Sequence, residues 1–189
     1  MPDNRVAILQ SSLELFAASG YDAIGVQQIV EAVGIKKPTL YHFFGSKRGV
    51  LVALMQEQFS PFVGQLKQAA AYQGDLPLSL EKVVACYFSF ASYAPVLYQM
   101  HLSSWFTNPE SEASQIITPY IKEQHQVIES LFELAANDHG NMKGRHQVYA
   151  STFLGMINTY IVQSWHHHLA LNKQTAQQAV KQFSYGIYS

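Results

Sequence analysis

Residues 26–47, VQQIVEAVGIKKPTLYHFFGSK, decide how the rest of the chain is read. Val26, Ile29, Val30 and Val33 recur at i, i+3, i+4 and i+7, which draws one apolar stripe along a helix of about two turns. Gly34 follows directly, and a glycine there supplies the left-handed backbone that closes a helix without a Cβ clash. Pro38 marks a restart, because proline fits a first helical turn whose amides lack partners anyway. In the second helix Leu40, Phe43 and Phe44 are expected to face inward. That leaves Lys37, Thr39, Tyr41 and His42 on the free surface, with no acid among them. Such a surface suits a DNA major groove: Lys and His donate to guanine or phosphate, the Thr methyl meets thymine, and Tyr donates to a phosphate oxygen.

Outside this stretch the bulk properties narrow the choices. With 189 residues, 48% of them hydrophobic and 13% charged, the chain can bury a full core and is not disordered. A net charge of -1 excludes a protein that coats nucleic acid through a uniformly basic surface. The basic residues are placed locally instead: between Ile35 and Gly49 the charges are Lys36, Lys37, Lys47 and Arg48. The first ten residues lack the long uncharged core of a signal peptide, and no run of about 18 apolar residues occurs, so a cytoplasmic protein with no membrane partner is expected. Cys86 is the sole cysteine, which excludes an intrachain disulfide and reads as a small buried hydrophobe.

The run 15–51, with LFAASGYDA, QQIVEAVGI, TLYHFFGSK and VL in order, resembles the helix-turn-helix DNA-binding domain of the TetR family of transcriptional regulators. The resemblance covers about the first quarter of the chain. It implies an all-α fold of about nine helices: a three-helix head over 1–46, and a larger helical body over 47–189 that dimerises and binds an effector. It further implies a repressor that binds a palindromic operator as a homodimer and is released by a small apolar or aromatic effector. On this pattern the DNA-contacting residues are Gln27, Lys36, Lys37, Pro38, Thr39, Tyr41, His42 and Lys47. Lys47 follows Ser46, a good helix N-cap, so its ammonium and the positive end of the helix are expected to clamp a phosphate together. Two positions depart from the family. Ile24-Gly25 stands where Ser or Thr usually caps the second helix, and Gln27-Gln28 stands where an Arg and an acid are frequent, which leaves the base preference there open.

The remaining chain reads as helices throughout. A first helix over 3–18 carries the stripe Val6, Leu9, Leu13 and Phe16, with Arg5 exposed near its start. A fourth runs from Lys47 towards Ala71 with Pro61 inside it, so a kink or break is expected near Phe59. Further helices are expected over 78–93, 95–105 and 111–137, the last kinked by Pro119. The final two, 147–171 and 175–188, are apolar on more than one side, which calls for burial by a second copy as well as by their own body. Met156, Ile161, Trp165, Ala179, Val180 and Phe183 are the expected dimer contacts, a placement that resembles the family's dimerisation helices. An effector is expected among the body's rings: Tyr87, Phe90, Tyr93, Tyr98, Trp105, Tyr120, Phe153 and Tyr160, with Gln99 and His101 as polar contacts.

Other chemistry finds little support. Trp165-His166-His167-His168 invites a metal, but consecutive helical residues point about 100° apart and cannot share one ion. No phosphate loop, nucleophile elbow or HExxH occurs, and Glu110 and Glu112 have no assignable acid–base partner. An enzyme, a metal and a cofactor are therefore not expected. The competing reading is a helical ligand-binding or protein-interaction protein without sequence-specific DNA binding, against which Lys37, Thr39, Tyr41, His42 and Lys47 together argue.

Overall fold

A computed structural model describes residues 3–166 and 169–186. Among them are ten α-helices and no strand: α1 (Asn4–Ser19), α2 (Val26–Val33), α3 (Lys37–Phe44), α4 (Lys47–Leu54), α5 (Ser60–Ala69), α6 (Leu76–Tyr93), α7 (Pro95–Ser103), α8 (Glu112–Ala135), α9 (His146–Trp165) and α10 (Lys173–Tyr185). The count exceeds nine because the expected fourth helix is divided. Between α4 and α5 lies a π-helical turn, Met55–Phe59, closed by the Ser60 amide on the Met55 carbonyl. Pro61 has no amide to donate and crowds the preceding turn, and one widened turn ahead of it relieves both constraints. Pro119, by contrast, lies inside α8 without ending it.

The chain forms two compact units, Met1–Pro61 with Ala94–Tyr120, and Phe62–Tyr93 with Ile121–Ser189. In the first, α1 packs on α2, α3, α4 and α7. Asp3 caps α1 by accepting from the Arg5 amide at 2.9 Å, and Gly20, at φ 81°, ends it. The buried face of α1 is Ile8, Leu9, Ser12, Leu13 and Phe16. Val6 stands in the first turn of the helix at the edge of this face and is 59% exposed, so it is not part of the buried stripe. Ile29, Leu40, Val50, Leu51 and Leu54 complete this core.

In the second unit α6 packs against α9 and α10. Phe62 stacks on Phe90 with ring centroids 4.2 Å apart and meets Tyr87 edge-on at 5.0 Å. The Tyr87 hydroxyl donates to Gln124 Oε1 at 3.0 Å, which satisfies two buried polar groups at once. A second cluster joins Phe132, Phe153 and Phe183, with the last two 4.9 Å apart. Cys86 is half-buried, and burial pushes its thiol up to about 11, away from nucleophilic chemistry.

Candidate nucleic-acid interface

The turn between α2 and α3 is set by Gly34, whose backbone is left-handed (φ 74°, ψ 32°) and whose amide reaches the carbonyls of Val30 and Glu31. The Ile35 amide also returns to the Val30 carbonyl, at 2.9 Å, so two of the carbonyls at the end of α2 are satisfied within two residues. At the other end Gly25 has no side chain with which to cap, and Gln28 compensates. Its side-chain oxygen accepts from the Gly25 amide at 2.7 Å, the returning half of a capping box. Gln28 is thereby a structural residue. Gln27 remains exposed, with its amide held by Glu31 at 2.5 Å.

On α3, fully buried Leu40 anchors the helix to its domain, and Lys36, Lys37, Pro38, Tyr41 and His42 are exposed, with Thr39 half-buried. The expected DNA-facing surface is therefore presented to solvent. Phe43 corrects the sequence reading. It is 39% exposed, because it lies three residues past Leu40 at the flank of the buried stripe, on the side of Thr39. An apolar ring thus extends this surface.

Lys47 does not stand free as the phosphate clamp expected of it. Its Nζ donates to the carbonyls of Tyr21 at 3.0 Å and Ile24 at 2.9 Å and lies 4.0 Å from the centre of the Tyr21 ring. These carbonyls close the segment between α1 and α2, so the ammonium fastens that segment to the start of α4. Ser46 still caps α4, accepting from the Gly49 amide at 3.0 Å. Lys36 and Lys37 form no ion pair with any described residue, which leaves their charge to solvent or DNA.

Two further ties were not visible in sequence. The Tyr21 hydroxyl donates to Glu112 Oε2, and the other Glu112 oxygen lies 3.9 Å from Arg48 Nε. Burial, then the bond to Glu112, raises the Tyr21 pKa, so the phenol stays a donor. Arg5 pairs with Glu57 through both guanidinium ends, one at 2.8 Å, and lies 5.4 Å from the centre of the Phe44 ring. Glu112, the first residue of α8, is thus a bracing carboxylate. Replacing Glu112 by Ala is expected to destabilise the protein by about 1–2 kcal/mol, with Tyr21→Phe adding little on top. A double-mutant cycle by urea unfolding measures this; fully additive effects would show that the pair does not interact.

The residues expected around an effector fall into separate places. In the first unit His101 and Tyr98 are buried, with Phe59 and Trp105 ringing His101 and Tyr120 edge-on to Phe59. In the second, Tyr87 and Phe90 surround Phe62, Phe153 belongs to the Phe132 cluster, and Tyr160 faces Phe88 at 6.5 Å. Tyr93 is 89% exposed and Gln99 is exposed as well. Of the expected dimer contacts, Ile161, Ala179 and Val180 are enclosed by their own chain and offer no surface, while Met156, Trp165 and Phe183 are half-buried. The exposed side of α9 is a different stripe: Val148, Thr152, Gly155, Thr159 and Val162. His167 and His168 lie outside the described residues. Among the described residues no group of His, Cys, Asp and Glu could hold a metal ion, and no helix is long and apolar enough to cross a membrane.

Residues 8–54 match the family described as bacterial regulatory proteins, tetR family. The HTH-type transcriptional activator FasR of Mycolicibacterium smegmatis is 23% identical over 185 residues, 97% of this chain and 82% of that protein. The HTH-type transcriptional repressor ComR of Escherichia coli is 34% identical over 89 residues, 46% of this chain and 40% of its own. Among solved structures, the transcriptional regulator FadR of Bacillus subtilis in complex with stearoyl-CoA superposes with a TM-score of 0.76 at 17% identity, covering 97% of this chain and 99% of that one.

Proposed function

From a chain that belongs, through its helix-turn-helix domain, to the tetR family of bacterial regulatory proteins, which are regulators rather than enzymes, we propose a repressor that binds a near-palindromic operator as a homodimer and is released by an apolar effector. The observation that carries this is the acid-free surface of α3, where Lys36, Lys37, Pro38, Tyr41 and His42 stand exposed on a helix anchored by Leu40. Thr39 and Gln27 flank it. Lys47 acts beneath this surface by holding the α1–α2 segment, and the open amides at the start of α4 take the phosphate contact.

One eight-residue helix buries too little surface to hold DNA alone, so two copies must place their α3 helices in successive major grooves about 34–36 Å apart. The exposed α9 stripe, in which Gly155 meets nothing within 4 Å, supports a contact between copies with Met156 and Trp165 at its margin and half-buried Phe183 contributed from α10. The effector is read as an apolar acyl compound. What supports that class is the stearoyl-CoA carried by Bacillus subtilis FadR, whose fold matches over nearly the whole chain. It must bind the DNA-incompetent conformation better, since a ligand of equal affinity for both shifts nothing.

The test is fluorescence anisotropy with DNA flanking the protein's own gene, against scrambled DNA, at two salt concentrations. Sequence-dependent, salt-sensitive binding is expected. Lys37→Ala with Tyr41→Ala should weaken it by about tenfold or more with the fold intact, at roughly 1–3 kcal/mol per lost contact. Unchanged affinity would sink the assignment. A promoter fusion reads the sign of regulation, which FasR and ComR show in opposite senses.

A further inference from the structure

We infer that the groove between α6 and the start of α10 is the site of the effector and that its occupant is an amphipathic anion, an acyl chain ending in carboxylate or phosphate. This rests on the effector-controlled regulator proposed above. None of the rings singled out in the sequence lines the groove. Its volume is about 560 Å³, within the range of about 300–1,000 Å³ usual for small-molecule sites.

Each side of the groove combines apolar residues with one lysine. Leu78, Ala85 and Phe88 recur along one side of α6, and Leu171 and Ala176 face them from the segment entering α10 and from α10 itself. Lys82 and Lys173 line the same groove, one from each side. Neither forms an ion pair with any described residue. The single lining acid, Glu81, accepts from Gln177 Nε2 at 3.4 Å, and its one negative charge is outnumbered by the two lysines. At the end of the groove the thirteen-residue α10 begins. Its N-cap Asn172 satisfies only the Thr175 amide, and the Lys173 and Gln174 amides have no intrahelical acceptor. The positive end of this helix thus adds to two unpaired ammonium groups beside an apolar trough. A neutral hydrocarbon would leave those cations unused, and a cation would be repelled by them. An acyl anion satisfies both the apolar trough and its two lysines.

Another groove, between α5 and α8, has no such balance, because its one lysine, Lys67, is already paired with Glu123 at 2.6 Å.

The experiment uses the full chain, with dodecanoate, lauroyl-CoA and dodecanol titrated calorimetrically and operator release followed in parallel. Lys82→Gln with Lys173→Gln is expected to weaken dodecanoate or lauroyl-CoA by about tenfold and leave dodecanol unchanged, as two charge contacts of about 0.7 kcal/mol each would give. Ala85→Trp, which fills the trough from an exposed position, should abolish all three. Thermal melts of the variants verify the fold. Tighter lauroyl-CoA than dodecanoate puts phosphate on the lysines; the reverse puts carboxylate there, and either supports the site. If the anions release operator equally from native protein and both variants, the effector reading stands and the groove assignment is overturned. If the anions bind and the variants lose them but operator is never released, the groove is an anion site and the effector reading fails. No binding of either anion overturns the inference.

Discussion

Gly49→Ala is expected to unfold the DNA-binding head under conditions where the native protein is stable. A Cβ built on Gly49 would lie 1.8 Å from the Phe44 carbonyl oxygen and 2.9 Å from its carbon. No rotamer relieves this contact, because both sides of it are backbone. The start of α4 would have to move away from the end of α3, and with it the Ser46 cap and the Lys47 ammonium that holds Tyr21 and Ile24. Overpacking of this rigidity sits at or beyond the upper end of its usual range, about 3 kcal/mol. Gly64→Ala in α5, where nothing lies within 4 Å, is the control and should be neutral or slightly stabilising. Urea unfolding with operator anisotropy decides the matter. A Gly49→Ala protein as stable as the Gly64→Ala control would show that the two helices are not in close contact.

Acid should destabilise this protein through one buried side chain. His101 is enclosed with Phe59, Tyr98 and Trp105 ring centroids at 4.8, 5.9 and 6.3 Å, and its Nδ1 has no hydrogen-bond partner among the described residues. Burial pushes its pKa down to about 3 from 6.5. Above about pH 6.5 neither folded nor unfolded His101 carries the proton, and its titration contributes nothing. Below that the unfolded chain binds a proton that the folded one refuses, so stability is lost at about 1.4 kcal/mol per pH unit until about pH 3. The loss amounts to about 2 kcal/mol near pH 5. His101→Leu removes both the titration and the unsatisfied nitrogen, so it should be close to neutral at pH 7 and more stable than the native protein in acid. Parallel stability–pH curves for the two proteins would refute this account.

Much of the architecture was legible because it is written in local signals. Gly34 and Pro38 fix where α2 stops and α3 starts, Pro61 announces a disturbed turn, and the apolar spacing of Ile29, Val30 and Leu40 marks buried faces. What stayed hidden depends on partners distant in the chain. Glu112 meets Tyr21 across 91 residues, and no spacing rule pairs them. Lys47 looks the same in sequence whether its charge meets phosphate or two carbonyls. Gly49 reads as an ordinary helical glycine until the Phe44 carbonyl is seen against it. A helix apolar on two sides does not say which side belongs to its own core, and so Ile161, Ala179 and Val180 read as partner contacts although their own chain encloses them. Rings at helical spacing are equally ambiguous between cluster and cavity, and here Tyr87, Phe90 and Phe153 are packed against other rings.

The anchoring of Lys47 also bears on how the head would respond to covalent chemistry. An acetyl group on Lys36 or Lys37 removes a charge from an exposed side chain and leaves the fold alone. On Lys47 the same group would strip the ammonium from the Tyr21 and Ile24 carbonyls and from the ring beside them, releasing the α1–α2 segment. Acylation of neighbouring lysines would therefore have opposite characters, one tuning affinity in proportion to the charge removed, the other loosening the scaffold beneath the reading helix.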